Sequence, residues 1–216
     1  MKPGDPFGEP VTGPADLEVT GGDADLARML ESHQGALVRY RPAPDSDLAR
    51  ALGISATGDL SGVAAPIDGL LVEPGGHAVN GVVLGQLPHW VRATTSSAKV
   101  RVVVNGREIA AGRATTVVVA SGQFFDGLDV VPRGHPGDGR LEVQVYAVRR
   151  GERRAMRARL PQGVHLPHPR ITTSTGRQVE IHVQGGRLPL TIDGVAHEPV
   201  ADLTVTLIPG ALRLML

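Results

Sequence analysis

The chain has no cysteine among its 216 residues. Disulfides, thiolate metal sites, iron–sulfur clusters and a cysteine nucleophile are therefore excluded. Aromatic residues make up only 3%, too few for the stacking platforms that hold single-stranded nucleic acid. Neither sign of charge is in excess. Lys+Arg and Asp+Glu each number 22, so no global basic field exists to wrap RNA or DNA, and no nucleic-acid partner is expected. The longest apolar run, Val117-Val118-Val119-Ala120, falls far short of the ~20 residues of a membrane span. The opening residues, MKPGDPFGEPVTGP, lack the apolar stretch of a signal peptide. These absences point to a cytoplasmic protein.

Glycine and proline, by contrast, are plentiful, at 28 and 17 residues. That composition suits many short strands joined by turns better than long helices. Residues 1–15 read as a flexible leader. Asp16–Thr20 is expected as a strand, followed by a Gly21-Gly22-Asp23 turn. Ala24–His33 carries Leu26, Met29 and Leu30 at helical spacing. Ala36–Tyr40 is a second strand, and Ser46–Leu52 a short helix with Gly53 as its stop. Residues 16–60 thus read β-α-β-α. Beyond them, Asn105-Gly106 is the strongest hairpin signal, between Lys99–Val104 and Arg107–Ala110. Further strands are expected at Ala114–Ala120, Leu141–Val148, Gln178–Val183, Leu188–Ile192, Leu203–Ile208 and Ala211–Leu216. The predicted fold class is α+β: a reduced α/β part over 16–60, then an antiparallel β-sandwich over 61–216.

Short chemical motifs are sparse. Neither a Walker A loop nor an HExxH helix is present. His165 and His168 have metal-like spacing, but Pro167 and Pro169 break the helix that would align them, which leaves loop histidines. Arg149–Leu160 is a charged segment with the pattern of a short helix. On such a helix Arg150, Arg153, Arg154 and Arg157 would share a face, with Met156 and Leu160 turned to the core. A basic face of this kind either is simply solvated or docks on anionic membrane lipid through Arg149–Arg159.

Four stretches together resemble one family, in order and approximate spacing, over residues 16–216. LEVTGGDADLARML resembles the strand–GGDGT–helix segment of the diacylglycerol kinase and sphingosine kinase-like lipid kinases. ALVRYRPAPDSDLARALGI resembles the strand, PxGTxND loop and helix that follow it. SGQFFDGLDVVPRGHPGDGRLEVQVY resembles the NGxYFGGGMxIAPxAxxDDGxLDV segment, and LPLTIDGVAHEP…VTLIPGALRLML the closing LPxxxDGE…PGALxV. The resemblance implies an N-terminal nucleotide-binding α/β domain and a C-terminal β-sandwich, with ATP, Mg²⁺ and lipid meeting between them. It implies Gly21, Gly22, Asp23 and Asp47 as nucleotide-side residues and Asp193 at the reacting end. It further implies a Mg²⁺ held by Asp138 and the carbonyls of His135 and Arg140.

The departures from the pattern bear directly on activity. Family chains carry further β/α units before GGDGT, where this sequence has about 15 residues. A sheet shortened in that way would expose an edge for the leader or a second subunit to cover. Ala24 and Asp25 replace the glycine and threonine of GGDGT, and Asp25 puts a carboxylate where a hydroxyl is expected. Pro44 stands in the second loop without an N–H to donate, and Ser46 replaces asparagine. Gly137 replaces the first acid of DDG. Val195 occupies the general-base position, with His197 and Glu198 as the nearby candidates to substitute for it. Simpler roles exist for what remains: Asp23 and Asp47 as helix caps, Asp138 and Asp193 as residues of Asp-Gly turns. Two readings follow. One is a family member with weak or lost phosphotransferase activity that keeps a lipid- or protein-binding role. The alternative is an active ATP-dependent kinase of a diacylglycerol-type hydroxyl.

Overall fold

A computed structural model describes residues 8–54 and 62–215. The expected boundary near residue 60 lies outside them. Two sheets carry the fold. The larger has nine strands: β1 (Glu9–Pro10), β2 (Leu17–Gly21), β3 (Leu37–Pro42), β4 (Val63–Glu73), β5 (Gly76–Ala78), β7 (Ala98–Val104), β8 (Arg107–Ala114), β14 (Gln178–Gln184) and β17 (Asp202–Met215). The second sheet runs β13-β12-β9-β6-β15-β16. Its strands are β6 (Gly81–Gly85), β9 (Thr116–Ala120), β12 (Leu141–Tyr146), β13 (Ile171–Gly176), β15 (Leu188–Ile192) and β16 (Val195–Val200). A two-stranded ribbon, β10 (Phe124–Phe125) and β11 (Leu128–Asp129), stands apart.

Alternation along the strands explains the layering. Val100, Val102 and Val104 of β7 and Val179, Ile181 and Val183 of β14 point inward to meet Val117, Val119, Val143 and Val145 of the second sheet. The intervening residues of β9, Val118 and Ala120, face the other way and are also buried, beneath α3 (Arg153–Arg159) through Met156 and Leu160. Strand β9 therefore reads as a continuous apolar run because both of its faces are covered. A third core lies between α1 (Asp23–Ala27), α2 (Asp47–Leu52) and the sheet: Leu26, Leu30 and Leu48 pack on Val38, Tyr40, Leu212 and Leu214. Burying each such side chain stabilises by about 1.5–3 kcal/mol.

Strand β17 joins the two halves. Its first part pairs antiparallel with β14, and Arg213–Met215 pair parallel with Leu37–Arg39 of β3, while β4 runs antiparallel beside it from Thr204 to Met215. The α/β part is thus an extension of the sandwich sheet. The sequence suggested separate strands at 203–208 and 211–216. Instead they are one 14-residue strand with an irregularity between Ile208 and Leu212, where Pro209-Gly210 interrupts the ladder without ending it. The expected helix over Ala24–His33 is a five-residue α-helix continued by a 3-10 turn, Arg28–Glu31. The leader does pair with an edge, but that of β4, through Glu9 with Ala64 and Pro10 with Val63. Strand β2 pairs only with β3 among the described residues.

Candidate functional site

A cleft of about 690 Å³ opens where four turns converge. They are the β2–α1 turn, the β3–α2 loop, the β10–β11 turn at Asp126-Gly127 and the β15–β16 turn at Asp193-Gly194. Six carboxylates line it, from Asp23, Asp25, Asp45, Asp47, Asp126 and Asp193, against the guanidiniums of Arg28 and Arg50. Four of the five residues implied by the family pattern on the nucleotide and reacting sides, Gly22, Asp23, Asp47 and Asp193, are thereby brought together, and Gly21 adjoins them.

The chemistry of each carboxylate follows from what it already holds. Asp23 is buried at 7% exposure. Its Oδ1 accepts from Ser46 Oγ at 2.5 Å and its Oδ2 from Leu48 N at 3.1 Å, so it joins the first turn of α2 to α1. Ser46 in turn accepts from Ala49 N as the N-cap of α2, and from the Tyr40 hydroxyl. Burial raises the Asp23 pKa, against the lowering effect of the Ser46 and Leu48 hydrogen bonds. Asp47 accepts from Asp126 N and Gly127 N, both at 2.8 Å, and so carries the tip of the ribbon. Its pKa is also raised by burial. Positive φ at Asp126 and Gly127, 51° and 72°, turns both N–H groups toward that carboxylate.

Asp193 is the most constrained of the three. Its Oδ2 accepts from Val79 N at 2.8 Å, and its Oδ1 accepts from Asn80 N at 3.0 Å and Gly81 N at 2.9 Å. Burial and the nearby Asp23 carboxylate raise its pKa to about 7 in spite of these three donors. The residue thus fixes the β15–β16 turn onto the β5–β6 connection. Val195 lines the cleft and is 48% exposed. His197 and Glu198 lie on edge strand β16, exposed, and neither lines the cleft.

Asp25 acts on the glycine turn itself. Its Oδ2 accepts from Gly22 N at 2.8 Å, and its Oδ1 is paired with Arg28. A Cβ on Gly21 would fall on that same carboxylate, which lies directly over the turn. The backbone donor that a glycine turn offers to an incoming anion is therefore already engaged by an internal one.

The Asp138 turn lies away from the cleft. Asp138 Oδ1 accepts from Arg140 N at 3.1 Å, Oδ2 pairs with the Arg140 guanidinium at 3.5 Å, and the His135 carbonyl accepts from Asp138 N. These contacts satisfy the Asp-Gly turn internally, and a cation held by Asp138 with the carbonyls of His135 and Arg140 would have to displace the Arg140 guanidinium from the carboxylate. No cluster of three or more His, Asp or Glu side chains disposed to hold a metal occurs among the described residues.

Two buried charged residues hold structural positions that the sequence did not reveal. Asp68, 2% exposed, accepts from Gly139 N and Gly210 N and pins the Asp138 turn to the β17 irregularity. Arg153, 5% exposed, donates to the carbonyls of Val148, Arg92, Ala93 and Thr95. The shared basic face expected on α3 is therefore not formed: Arg153 faces inward with Met156, and Arg157 is half-buried. In β4, Pro66 and Asp68 within an apolar stretch concealed both the strand and its buried acid.

No curated protein matches the chain by sequence. Solved structures resemble it in fold. A provisionally assigned diacylglycerol kinase from Bacillus anthracis is 17% identical with a TM-score of 0.77, covering 93% of this chain and 76% of its own. A diacylglycerol kinase from the same organism is 18% identical at 0.71, with the same coverage. An NAD kinase from Archaeoglobus fulgidus in complex with ATP is 12% identical at 0.50, covering 93% and 78%. Residues 84–216 match the family described as the YegS C-terminal NAD kinase beta sandwich-like domain. The matched region holds β7 to β17, with the closing PGAL segment on β17, while β1 to β5 precede it; it spans more than half of the chain, and the chain is a member of this NAD kinase and diacylglycerol kinase-like family.

Proposed function

We propose that this chain keeps the kinase fold with weak or lost phosphotransferase activity, and that its remaining role is the binding of a lipid or a protein. The observation that carries this reading is Asp25, whose carboxylate sits on the Gly22 N–H of the turn that would otherwise approach a phosphate. A nucleotide phosphate placed about 4 Å from that carboxylate is opposed by roughly 4 kcal/mol per charge pair at an effective dielectric of 20. The surrounding cleft adds five more carboxylates and offers only Arg50 beyond the Asp25-paired Arg28.

The reacting side supports the same reading. A general base needs a lone pair directed at the substrate proton. Asp193 directs its oxygens at three backbone N–H groups, and Val195 has no basic atom. Should turnover survive, the family chemistry implies ATP and Mg²⁺ as the phosphoryl source and a diacylglycerol-type hydroxyl as acceptor, with positioning and charge neutralisation as the catalytic requirements. The test is transfer of labelled phosphate from ATP to diacylglycerol in mixed micelles with Mg²⁺. The proposal expects none above background, and turnover by the purified chain would refute it. In that event alanine replacement of His197 and Glu198 identifies the base.

A further inference from the structure

A second concavity, of about 310 Å³, lies on the far side of β12 between the β12–α3 connection and the end of β8. Arg113, Arg149, Arg150 and Arg153 all line it, together with Ser97, and no carboxylate does. Such a convergence is unusual, because like charges sharing one concavity repel unless an anion joins them.

The arrangement is built into the fold. Arg153 is buried, and its Nε and Nη1 are held by four backbone carbonyls, none of which engages Nη2. Arg113 is oriented by Ser97, through Nε to Oγ at 3.0 Å and Nη2 to the carbonyl at 2.5 Å. Arg149 and Arg150 are exposed, in the segment leading into α3. Arg150 lies close enough to Arg153 to add to the lowering of its pKa by burial. The nearest acid in sequence, Glu152, is engaged by the Arg149 N–H and by Arg170.

We infer that this groove is an anion site for a phosphate monoester, whose oxygens bridge Arg113, Arg149 and Arg150. Guanidinium groups suit this ligand because their planar forks match phosphate oxygens two at a time, and a dianion balances more than one cation. The volume sits at the lower end of the roughly 300–1,000 Å³ of small-molecule pockets, which suits a headgroup-sized ester. The ester can come from a soluble metabolite or from a lipid headgroup. The site is separate from the acidic cleft and does not depend on its reading.

Two probes separate the sources: glycerol 3-phosphate followed by calorimetry, and phosphatidylcholine vesicles with or without phosphatidate followed by sedimentation. The groove variant is R149Q/R150Q. The control is R154Q/R159Q, two exposed arginines of the α3 segment that do not line the groove. The wild type should bind at least one phosphate-bearing probe. R149Q/R150Q should weaken that binding at least tenfold, and R154Q/R159Q should change it less than twofold. Binding of the soluble ester alone assigns a metabolite site, and binding of phosphatidate vesicles assigns a headgroup site. Absence of binding to both probes overturns the inference, and so does equal weakening by the two double variants, which would mean diffuse surface charge.

Discussion

Replacing Asp193 by alanine separates a structural carboxylate from a catalytic one. The substitution removes an acceptor of three backbone N–H groups, at Val79, Asn80 and Gly81. Each buried donor left without a partner costs about 1–3 kcal/mol. Water admitted to the vacated space recovers part of that, so the net loss should be about 3–5 kcal/mol, a large part of the 5–15 kcal/mol typical of a domain. The dependence on pH is a second signature. Burial and the Asp23 carboxylate hold the Asp193 carboxyl up at about 7 in the folded chain, above the ordinary aspartate value of about 4. A raised folded pKa contributes stability that is fully present below about pH 4 and is lost as pH rises through about 7. The penalty of D193A should therefore be larger at pH 5 than at pH 8. Urea unfolding of both proteins at the two pH values, with unchanged slope, gives these numbers. V195A, at a half-exposed position, should shift stability by no more than about 0.5 kcal/mol. A D193A chain within 1 kcal/mol of wild type at both pH values would refute the structural role.

Further outcomes follow from the same geometry. R153A should destabilise by about 2–4 kcal/mol by freeing four carbonyls, and R153K should not rescue it, because an ammonium cannot reproduce the planar fork; thermal unfolding checks both. M156A should cost about 2–5 kcal/mol through the cavity left beneath α3, measured in the same way. Val195→Glu alone should leave labelled-phosphate transfer at background, since Asp25 still covers the glycine turn; restored turnover would show that only the base is missing. The outer edge of β2, unpaired among the described residues, should pair two copies of the chain, and a monomer by light scattering at high concentration would exclude that.

Much of this architecture was legible in local sequence, for identifiable reasons. Asn105-Gly106 set the β7–β8 hairpin because both residues accept positive φ, 48° and 77°. The helix at α2 was legible but its cap was not: the capping role expected of Asp47 belongs to the Ser46 hydroxyl, and Asp47 instead holds the β10–β11 turn. The strands that escaped, β4 above all, carry Pro66, Asp68 and Gly69, residues that read locally as breakers. Long-range pairing overrides them: β4 is flanked by β17 along its length, and Asp68 is satisfied by Gly139 and Gly210, 71 and 142 residues away. At the site, the residue types were visible and their engagement was not. Asp47 and Asp193 reach backbone donors 79 to 114 residues distant, contacts that no spacing rule encodes. The basic segment misled for a related reason. Helical periodicity gives which arginines share a face, and it was the carbonyls of residues 92–95 that drew Arg153 to the buried side.

The most direct test of the central claim is calorimetric titration of the full chain with ATP, with and without Mg²⁺. An acidic cleft whose glycine turn is covered by Asp25 predicts no saturable heat up to millimolar nucleotide in either condition. Saturable binding of Mg²⁺–ATP in the micromolar range would contradict the account.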